Sequence, residues 1–197
     1  MINVLLGNRA FARVRRDVCA HLTGDVLEIG FGSGLNVPYL PASVTGLWGV
    51  DPSEVARKIA ARRIAASTVP IHDGGRDAQH LEFPDVRFDA ALSTGTLCTI
   101  PDAKHALGEV RRVLKPNGYF YFAEHGHARD PRVARQQQRW RRLQQRVAGG
   151  CQFDLEIAAL IEGAGFEIVD LRNLYLRGQP RAWSYMYVGV ALNPIGS

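Results

Sequence analysis

Three glycines and two carboxylates carry the most legible chemistry in this chain. The run Glu28-Ile29-Gly30-Phe31-Gly32-Ser33-Gly34 sets an acid two residues ahead of glycines in alternate positions, and Asp51 follows Gly34 by seventeen residues. Glycine lets a backbone turn tightly and approach a ligand closely. An acid at the exit of the next strand can accept both hydroxyls of a ribose. Together they indicate an adenosine-type cofactor. In the dinucleotide fingerprint GxGxxG the third glycine would fall at Leu35, so that pattern is incomplete. A pyrophosphate would also be repelled by Glu28, whereas a cofactor carrying a sulfonium and an ammonium would tolerate or favour it. A nicotinamide-dependent dehydrogenase is disfavoured on both counts.

These residues need strands to deliver them. Val26, Leu27 and Ile29 form a short apolar run that stops at the glycines, the pattern of a buried strand followed by a tight turn. The run 44–53 closes on Asp51, and Pro52 opens a helix through about Arg63, where its missing N–H costs nothing. Residues 69–72, 87–94 and 119–125 predict further strands. Ala106, Leu107, Val110, Val113 and Leu114 recur at helical spacing, and Pro116, Asn117 and Gly118 predict the stop. Residues 2–20 and 154–165 predict helices, and 166–174 and 184–192 a terminal strand pair. Alternating strands and helices imply a parallel sheet covered on both faces. The terminal pair lacks a helix between its strands, so the last strand runs antiparallel. The expected fold is α/β: one domain over 1–197 with a three-layer, doubly wound, seven-stranded, mostly parallel Rossmann-like sheet. Ligands of such sheets sit beyond the strands' carboxyl ends. The candidates are therefore Gly30–Gly34, Asp51, 72–81, Ser93–Leu97 and Glu124–His127.

At those exits VLEIGFGSG, VDPS, RDAQHLEF, FDAALSTGTLCTIPD and EVRRVLKPNGYFYFAEH resemble the successive motifs of class I S-adenosylmethionine-dependent methyltransferases, in order, over about residues 20–128. GLNVPY, LCTIPD, the Glu124-His125 pair and GGC at 149–151 are similar to the small-molecule branch, methyltransferase type 11, which includes thiol and lipid methylators. The resemblance implies S-adenosyl-L-methionine as cofactor and S-adenosyl-L-homocysteine as product. It places Glu28, Gly30, Gly32, Gly34 and Asn36 around the methionine moiety, and Asp51 on the ribose. Pro52 and Ser53 would line the adenine, and Asp77 and Ala78 would read its amino group and edge. Ser93 and Thr94 would close over the cofactor near the sulfonium. Arg76 departs from the pattern, since many relatives carry a small or acidic residue there.

Each residue also has a plainer role. Asp51 suits a helix N-cap, Asp77 a cap of a short turn, and Glu28 a buried hydrogen-bonded acid. Cys98 follows Leu97 and so lacks the Pro-Cys dipeptide of RNA cytosine methylation; packing is its default. STGTL lacks the Asn/Asp-Pro-Pro-aromatic signature of amino methylation on bases. His125 and His127 lie two apart at a strand end and share a direction. His125 is the candidate general base if the acceptor is a hydroxyl; no third ligand completes a metal site. Tyr39, Trp140 and Cys151 are the candidate substrate contacts, while Trp183, Tyr185 and Tyr187 suit the packing of the terminal strands.

The chain has 197 residues and a formal charge of +5, which invites a nucleic-acid reading, but the charge is not spread evenly. Residues 1–128 hold fourteen basic and thirteen acidic side chains, whereas 129–147 hold seven arginines and one acid. Val133, Trp140, Leu143 and Val147 form an apolar stripe there, so the segment is an amphipathic basic helix. It can be a solvated helix packed by its stripe, a lid on the substrate pocket, or a contact for an anionic membrane. The helix at 1–20 and the insertion 129–151 are the expected substrate-side elements. Three cysteines without a CxxC pair read as reduced thiols in a cytoplasmic protein. The N-terminus lacks a signal-peptide pattern, and no apolar run approaches a membrane span. The leading expectation is methyl transfer to a small molecule (a thiol, hydroxyl, amine or lipid-like acceptor) by in-line displacement. The alternatives are a non-catalytic cofactor-binding module, and a nucleic-acid methyltransferase gripping phosphate with the arginine helix.

Overall fold

The computed structural model describes residues 9–147 and 155–195, with the backbone alone over 140–147. Helix α1 (Arg9–Cys19) leads into β1 (Gly24–Ile29), a short 3-10 turn (Val37–Tyr39) and β2 (Val44–Val50). Helix α2 (Glu54–Ala65), β3 (Ile71–Asp73) and β4 (Phe88–Thr94) follow, then a 3-10 turn at Leu97–Thr99, helix α3 (Ala103–Val113) and β5 (Leu114–His125). Helices α4 (Pro131–Val147) and α5 (Ile157–Gly163), strand β6 (Glu167–Tyr175), the short helix α6 (Arg181–Ser184) and β7 (Tyr185–Leu192) complete the chain.

The seven strands form one sheet in the order β3-β2-β1-β4-β5-β7-β6. All neighbours pair in parallel except β7, which runs antiparallel to both β5 and β6. This is the doubly wound architecture that the alternation of strands and helices implies. The winding reverses at β1 and β4, so their carboxyl ends form the crevice where such sheets take a ligand. Both faces are buried. On one, Phe11, Val14 and Val18 of α1 pack with Leu47, Leu92 and Met186. On the other, Leu107 and Val110 of α3 and Ile157 and Ile161 of α5 pack with Phe88, Phe120 and Phe122.

Boundaries differ from the sequence expectation where side chains cap or clamp the backbone. Helix α2 starts at Glu54 rather than Pro52, because the Ser53 hydroxyl accepts from the Ala56 N–H at 3.1 Å as its N-cap. Strand β5 starts five residues before the expected Tyr119, and α3 runs straight into it. Pro116 and Asn117 are accommodated by a register shift against β4. The Asn193 amide donates to the carbonyls of Leu114 and Lys115 at 2.9 and 3.2 Å, and the Asn117 N–H donates to the Asn193 carbonyl at 2.8 Å. The C-terminal segment thus fastens the turn.

The first turns of α4 are bound to the body. Val133 is buried, and so is Gln137, whose amide accepts from the Ala128 N–H at 2.9 Å and donates to the Gly126 carbonyl at 3.0 Å. Arg129, Arg132, Arg135 and Arg139 lie around them at the surface. The side chains of Trp140, Leu143 and Val147 lie outside the described residues. Among the described residues no helix is long and apolar enough to cross a membrane. The reading of all three thiols as reduced needs correction: Cys19 is a free, buried thiol, but Cys98 is disulfide-bonded.

Arg112 ties α3 to the segment leading into β4. It donates to Glu109, to Asp85 at 2.7 Å and to the carbonyls of Phe83 and Leu81 at 2.8 and 2.9 Å. The hydrogen bond from Arg112 is the chief reason the Glu109 carboxyl is held down at about 2. Replacing Arg112 with leucine removes the partner of two carbonyls and two acids, so urea denaturation should show a loss of about 2 kcal/mol; an unchanged midpoint would refute the clamp.

Candidate active site at the strand exits

The turn after β1 has its shape for steric reasons. Gly30 adopts φ of +73°, and a Cβ there would lie 1.9 Å from the Thr96 hydroxyl. Gly32 adopts φ of +54°, and a Cβ there would meet the Gly30 carbonyl oxygen at 3.8 Å, an ordinary contact, so its glycine is required by the backbone angle and not by crowding. The first glycine permits the close approach of the loop after β4, and the second permits the left-handed backbone of the turn. The Gly32 N–H donates to Asp51 Oδ2 at 2.7 Å, and the Ser53 N–H donates to Asp51 Oδ1 at 2.8 Å. An ionised carboxylate has about four lone-pair sites, so each oxygen can accept a further hydroxyl.

Beneath this turn lies a buried polar cluster. Arg15 of α1 is 4 % exposed, and Glu28 and Asn36 are at most 1 % exposed. Arg15 Nη1 donates to Asn36 Oδ1 at 2.7 Å and to Thr94 Oγ1 at 2.5 Å. Asn36 Nδ2 donates to Glu28 Oε1 at 2.7 Å and to Thr94 Oγ1 at 2.9 Å. The residues come from α1, the exit of β1, the following turn and the exit of β4. Two polar atoms of the cluster are buried without a partner: Arg15 Nε and Glu28 Oε2. Burial pushes the Glu28 carboxyl up to about 8, against the pull of the Asn36 hydrogen bond and the Arg15 charge. Burial likewise lowers the Arg15 pKa from its ordinary value.

A second buried acid anchors the neighbouring loop. Glu124, near the end of β5, accepts from the Ser93 hydroxyl at 2.6 Å, the Thr96 N–H at 2.9 Å and the Leu97 N–H at 3.1 Å. It therefore sets the course of residues 93–97, whose Thr96 packs against Gly30. Burial raises its carboxyl to about 7. His125 beside it is buried; desolvation first, then the charge of Arg15, lower its imidazole to about 4, so it is neutral.

The structure gathers Glu28, Gly30, Gly32, Gly34, Asn36, Asp51, Ser93 and Thr94 at the β1, β2 and β4 exits. The Ser93 hydroxyl is committed to Glu124, and Asn36 bridges Arg15 to Glu28. Pro52 and Ser53 are exposed beside Asp51. Asp77 accepts from the Gln79 N–H at 2.8 Å, the capping role, and its side chain lies at the surface; Ala78 is half-buried beside it. Tyr39 is half-buried, with the Arg16 guanidinium 5.8 Å from its ring centre. Cys151 and the Trp140 side chain lie outside the described residues. Sequence reasoning missed Arg15. Its signal was an arginine four residues after Phe11 and three before Val18, on the apolar stripe of α1.

Comparison with known proteins agrees with this geometry. Residues 27–122 match the family described as "Methyltransferase domain". The chain is 38% identical over 50% of its length, and 36% of the relative's, to a fatty-acid O-methyltransferase of Mycolicibacterium smegmatis. It is 26% identical over 80% of its length, and 65% of the relative's, to the human thiol S-methyltransferase TMT1A. A solved structure of a SAM-dependent methyltransferase from Methanosarcina mazei superposes with a TM-score of 0.69 at 20% identity, covering 87% of this chain and 93% of that one. The chain spans 36% to 39% of the length of the first curated relatives it matches.

The two raised carboxyls fix the sign of a pH effect. Between about pH 4.5 and 8 the folded protein holds protons on Glu124 and Glu28 that the unfolded chain has released, so stability falls as pH rises through that window. His125 works the other way, with stability falling as pH drops below its unfolded value of 6.5 toward about 4. Above pH 7 only the carboxyl effect remains of these three. The melting temperature of the ligand-free protein should fall between about pH 7 and 8.5, and Glu28→Gln should flatten that fall. Parallel curves for both proteins would contradict the assignment.

Proposed function

We propose that this chain, which matches the methyltransferase domain family over residues 27–122, is a class I S-adenosylmethionine-dependent methyltransferase and moves the donor's methyl group to a small apolar acceptor bearing a thiol or hydroxyl, by direct in-line displacement. The observation that carries the reading is the pair of buried, unpartnered polar atoms at the β1 and β4 exits. A buried donor and a buried carboxyl oxygen without partners each cost about 1–3 kcal/mol. A zwitterionic α-amino acid meets both needs: its carboxylate accepts from Arg15 Nε–H, and its ammonium pairs with Glu28 Oε2. The methionine end of S-adenosylmethionine is such a group, so the residues present fit the cofactor.

The remaining roles follow from the geometry. Asp51 takes the ribose hydroxyls with its free lone pairs. The Gly30–Gly34 turn supplies the surface under the methionine moiety, and Pro52, Ser53, Asp77 and Ala78 border the adenine. Asn36 and Thr94 hold the Arg15 guanidinium in place. Glu124 holds residues 93–97 so that the loop lies against Gly30 and keeps water out. The cofactor supplies an electrophilic methyl on a sulfonium. The chain's contribution is to align the acceptor with that methyl and to exclude solvent. No covalent intermediate on the protein is needed.

The thiol S-methyltransferase and fatty-acid O-methyltransferase relatives support a small apolar acceptor. Arg132, Arg135 and Arg139 lie at the surface of α4, whose first turns are fastened beside the β5 exit, which suits an acceptor drawn from an anionic lipid surface.

Calorimetry with S-adenosylhomocysteine tests the site. Arg15→Met should weaken binding about 30-fold, the equivalent of a charged hydrogen bond of about 2 kcal/mol. Asp51→Ala should weaken it at least about tenfold. Unchanged affinity in both variants would refute the placement. Turnover of a panel of thiols, phenols, amines and lipids tests the activity. Binding of the donor without transfer to any of them would favour a non-catalytic module.

A further inference from the structure

The exit edge of the sheet continues past the cofactor crevice to an arrangement that the site above does not use. His127 lies two residues beyond β5, and its N–H donates to the Leu155 carbonyl at 2.9 Å. Its Nδ1 is 2.6 Å from Glu156 Oε1. Tyr187 of β7 donates its hydroxyl to the His127 carbonyl at 2.8 Å and lies 3.3 Å from Glu156 Oε2. Two segments distant in sequence thus fix the His127 backbone, and Glu156 holds its imidazole. With Nδ1–H given to a carboxylate, the neutral ring carries its lone pair on Nε2. The His127 side chain is 39 % exposed, so the imidazole is not sealed in the core.

The position suits a role in transfer. Along the edge the order is β1, β4, β5, β7. Neighbouring strands are about 4.8 Å apart, so the exits of β1 and β5 are separated by roughly 10 Å. A reacting atom placed over β4 can therefore lie between a methyl donor above β1 and a base above β5. Tyr175, Tyr185 and Tyr187 flank this end of the edge as a run of edge-on aromatic contacts, with ring centres 5.0 and 5.6 Å apart. Tyr185 and Tyr187 are themselves buried, so the rings brace the strand end that carries His127. His125, the other histidine of the strand end, is buried and faces Phe11 and Arg15 on the α1 side.

We propose that His127, oriented by Glu156, is the catalytic base that takes the acceptor's proton, and that the acceptor is therefore a thiol or hydroxyl rather than a carboxylate. The proposal rests on the methyl-transfer reading. In the step, the acceptor's S–H or O–H bond breaks and its proton passes to His127 Nε2. The freed electron pair forms the bond to the donor's methyl carbon, and the carbon–sulfur pair returns to sulfur. The product is a thioether or ether, with neutral S-adenosylhomocysteine sulfur and a protonated imidazole that releases its proton to water. Glu156 stabilises the imidazolium. The other charged and titratable groups around it are Tyr185 and Tyr187 from β7, Arg129 and Asp130 from its own segment, and Arg181 of α6, 3.8 Å from Asp130.

Steady-state kinetics of the full chain with a hydrophobic alkyl thiol and a phenol, from about pH 6 to 10, test this. His127→Gln should lower kcat about 100-fold at pH 7 and leave S-adenosylhomocysteine affinity within about twofold of wild type. The deficit should shrink as pH nears the acceptor's own ionisation, because the solution then supplies the thiolate or phenolate; a merely structural residue would not produce that convergence. Glu156→Gln should keep the shape while moving the acid limb of the pH profile to lower pH. A His127→Gln enzyme equal to wild type, or a deficit constant with pH, overturns the base assignment while the methyl-transfer reading stands. A wild-type protein that binds the donor but methylates neither class overturns both. If His127→Gln fails to fold, an unshifted acid limb in Glu156→Gln overturns the base assignment.

Discussion

The structure turns on one buried cation. Arg15 sits inside the protein within electrostatic reach of two buried acids, Glu28 and Glu124, and its guanidinium reaches the turn after β1 and the exit of β4 together. Removing ions from water costs several kcal/mol each unless every donor and acceptor is met. The cluster meets most of that demand but leaves Arg15 Nε and Glu28 Oε2 unmet. An apolar core would avoid this cost, so the incomplete satisfaction points to a ligand rather than to stability. Burial depresses the neighbouring imidazole of His125, and the same cation adds to that shift. One side chain on α1 thus sets the charge of a cleft built mainly from the sheet.

Much of the sheet was legible because it is written in contiguous runs. Val26–Ile29, Val44–Val50 and Phe88–Thr94 are each short, apolar and ended by turn residues, and each became a strand of the expected kind. Their exits could be located because parallel strands all deliver their ends to one edge. Boundaries were less legible where a side chain from elsewhere decides them. Pro116, Asn117 and Gly118 read as a stop before a strand at Tyr119, yet β5 begins at Leu114. The Asn193 amide, far along the chain, satisfies the carbonyls that the excursion would otherwise strand.

The site divides in the same way. Its proposed cofactor half is a local backbone motif with an acid one strand away, so spacing alone pointed to Glu28, the glycines and Asp51. Arg15 was missed because arginine on a helix usually reads as solvated surface. Its position on the stripe of Phe11, Val14 and Val18 was the available signal. Glu124 was visible as part of a motif, but its hold on the 93–97 backbone follows only from the pairing of β4 with β5. Cys98 shows the limit from the other side. Thiol count and spacing implied reduced cysteines, and a disulfide at Cys98 depends on which segments meet in space.

The proposed acceptor half was least legible for a physical reason rather than for want of motifs. Its members come from the segment after β5, the residue pair before α5, and the start of β7. Antiparallel β7 returns its first residues to the edge where the parallel strands end, so Tyr185 and Tyr187 meet the exit of β5 although some sixty residues separate them from it. A reversed strand therefore lets the chain add side chains to the carboxyl edge without another parallel crossover. The basic excess belongs to that same end. Arg132, Arg135 and Arg139 lie at the surface of a helix whose Val133 and Gln137 fasten it beside the β5 exit, which places these charges beside the proposed acceptor side and not on the near-neutral body. In the proposed site, specificity can then vary in the segments around α4 and β7, while Arg15, the glycine turn and Asp51 keep a geometry dictated by the sheet.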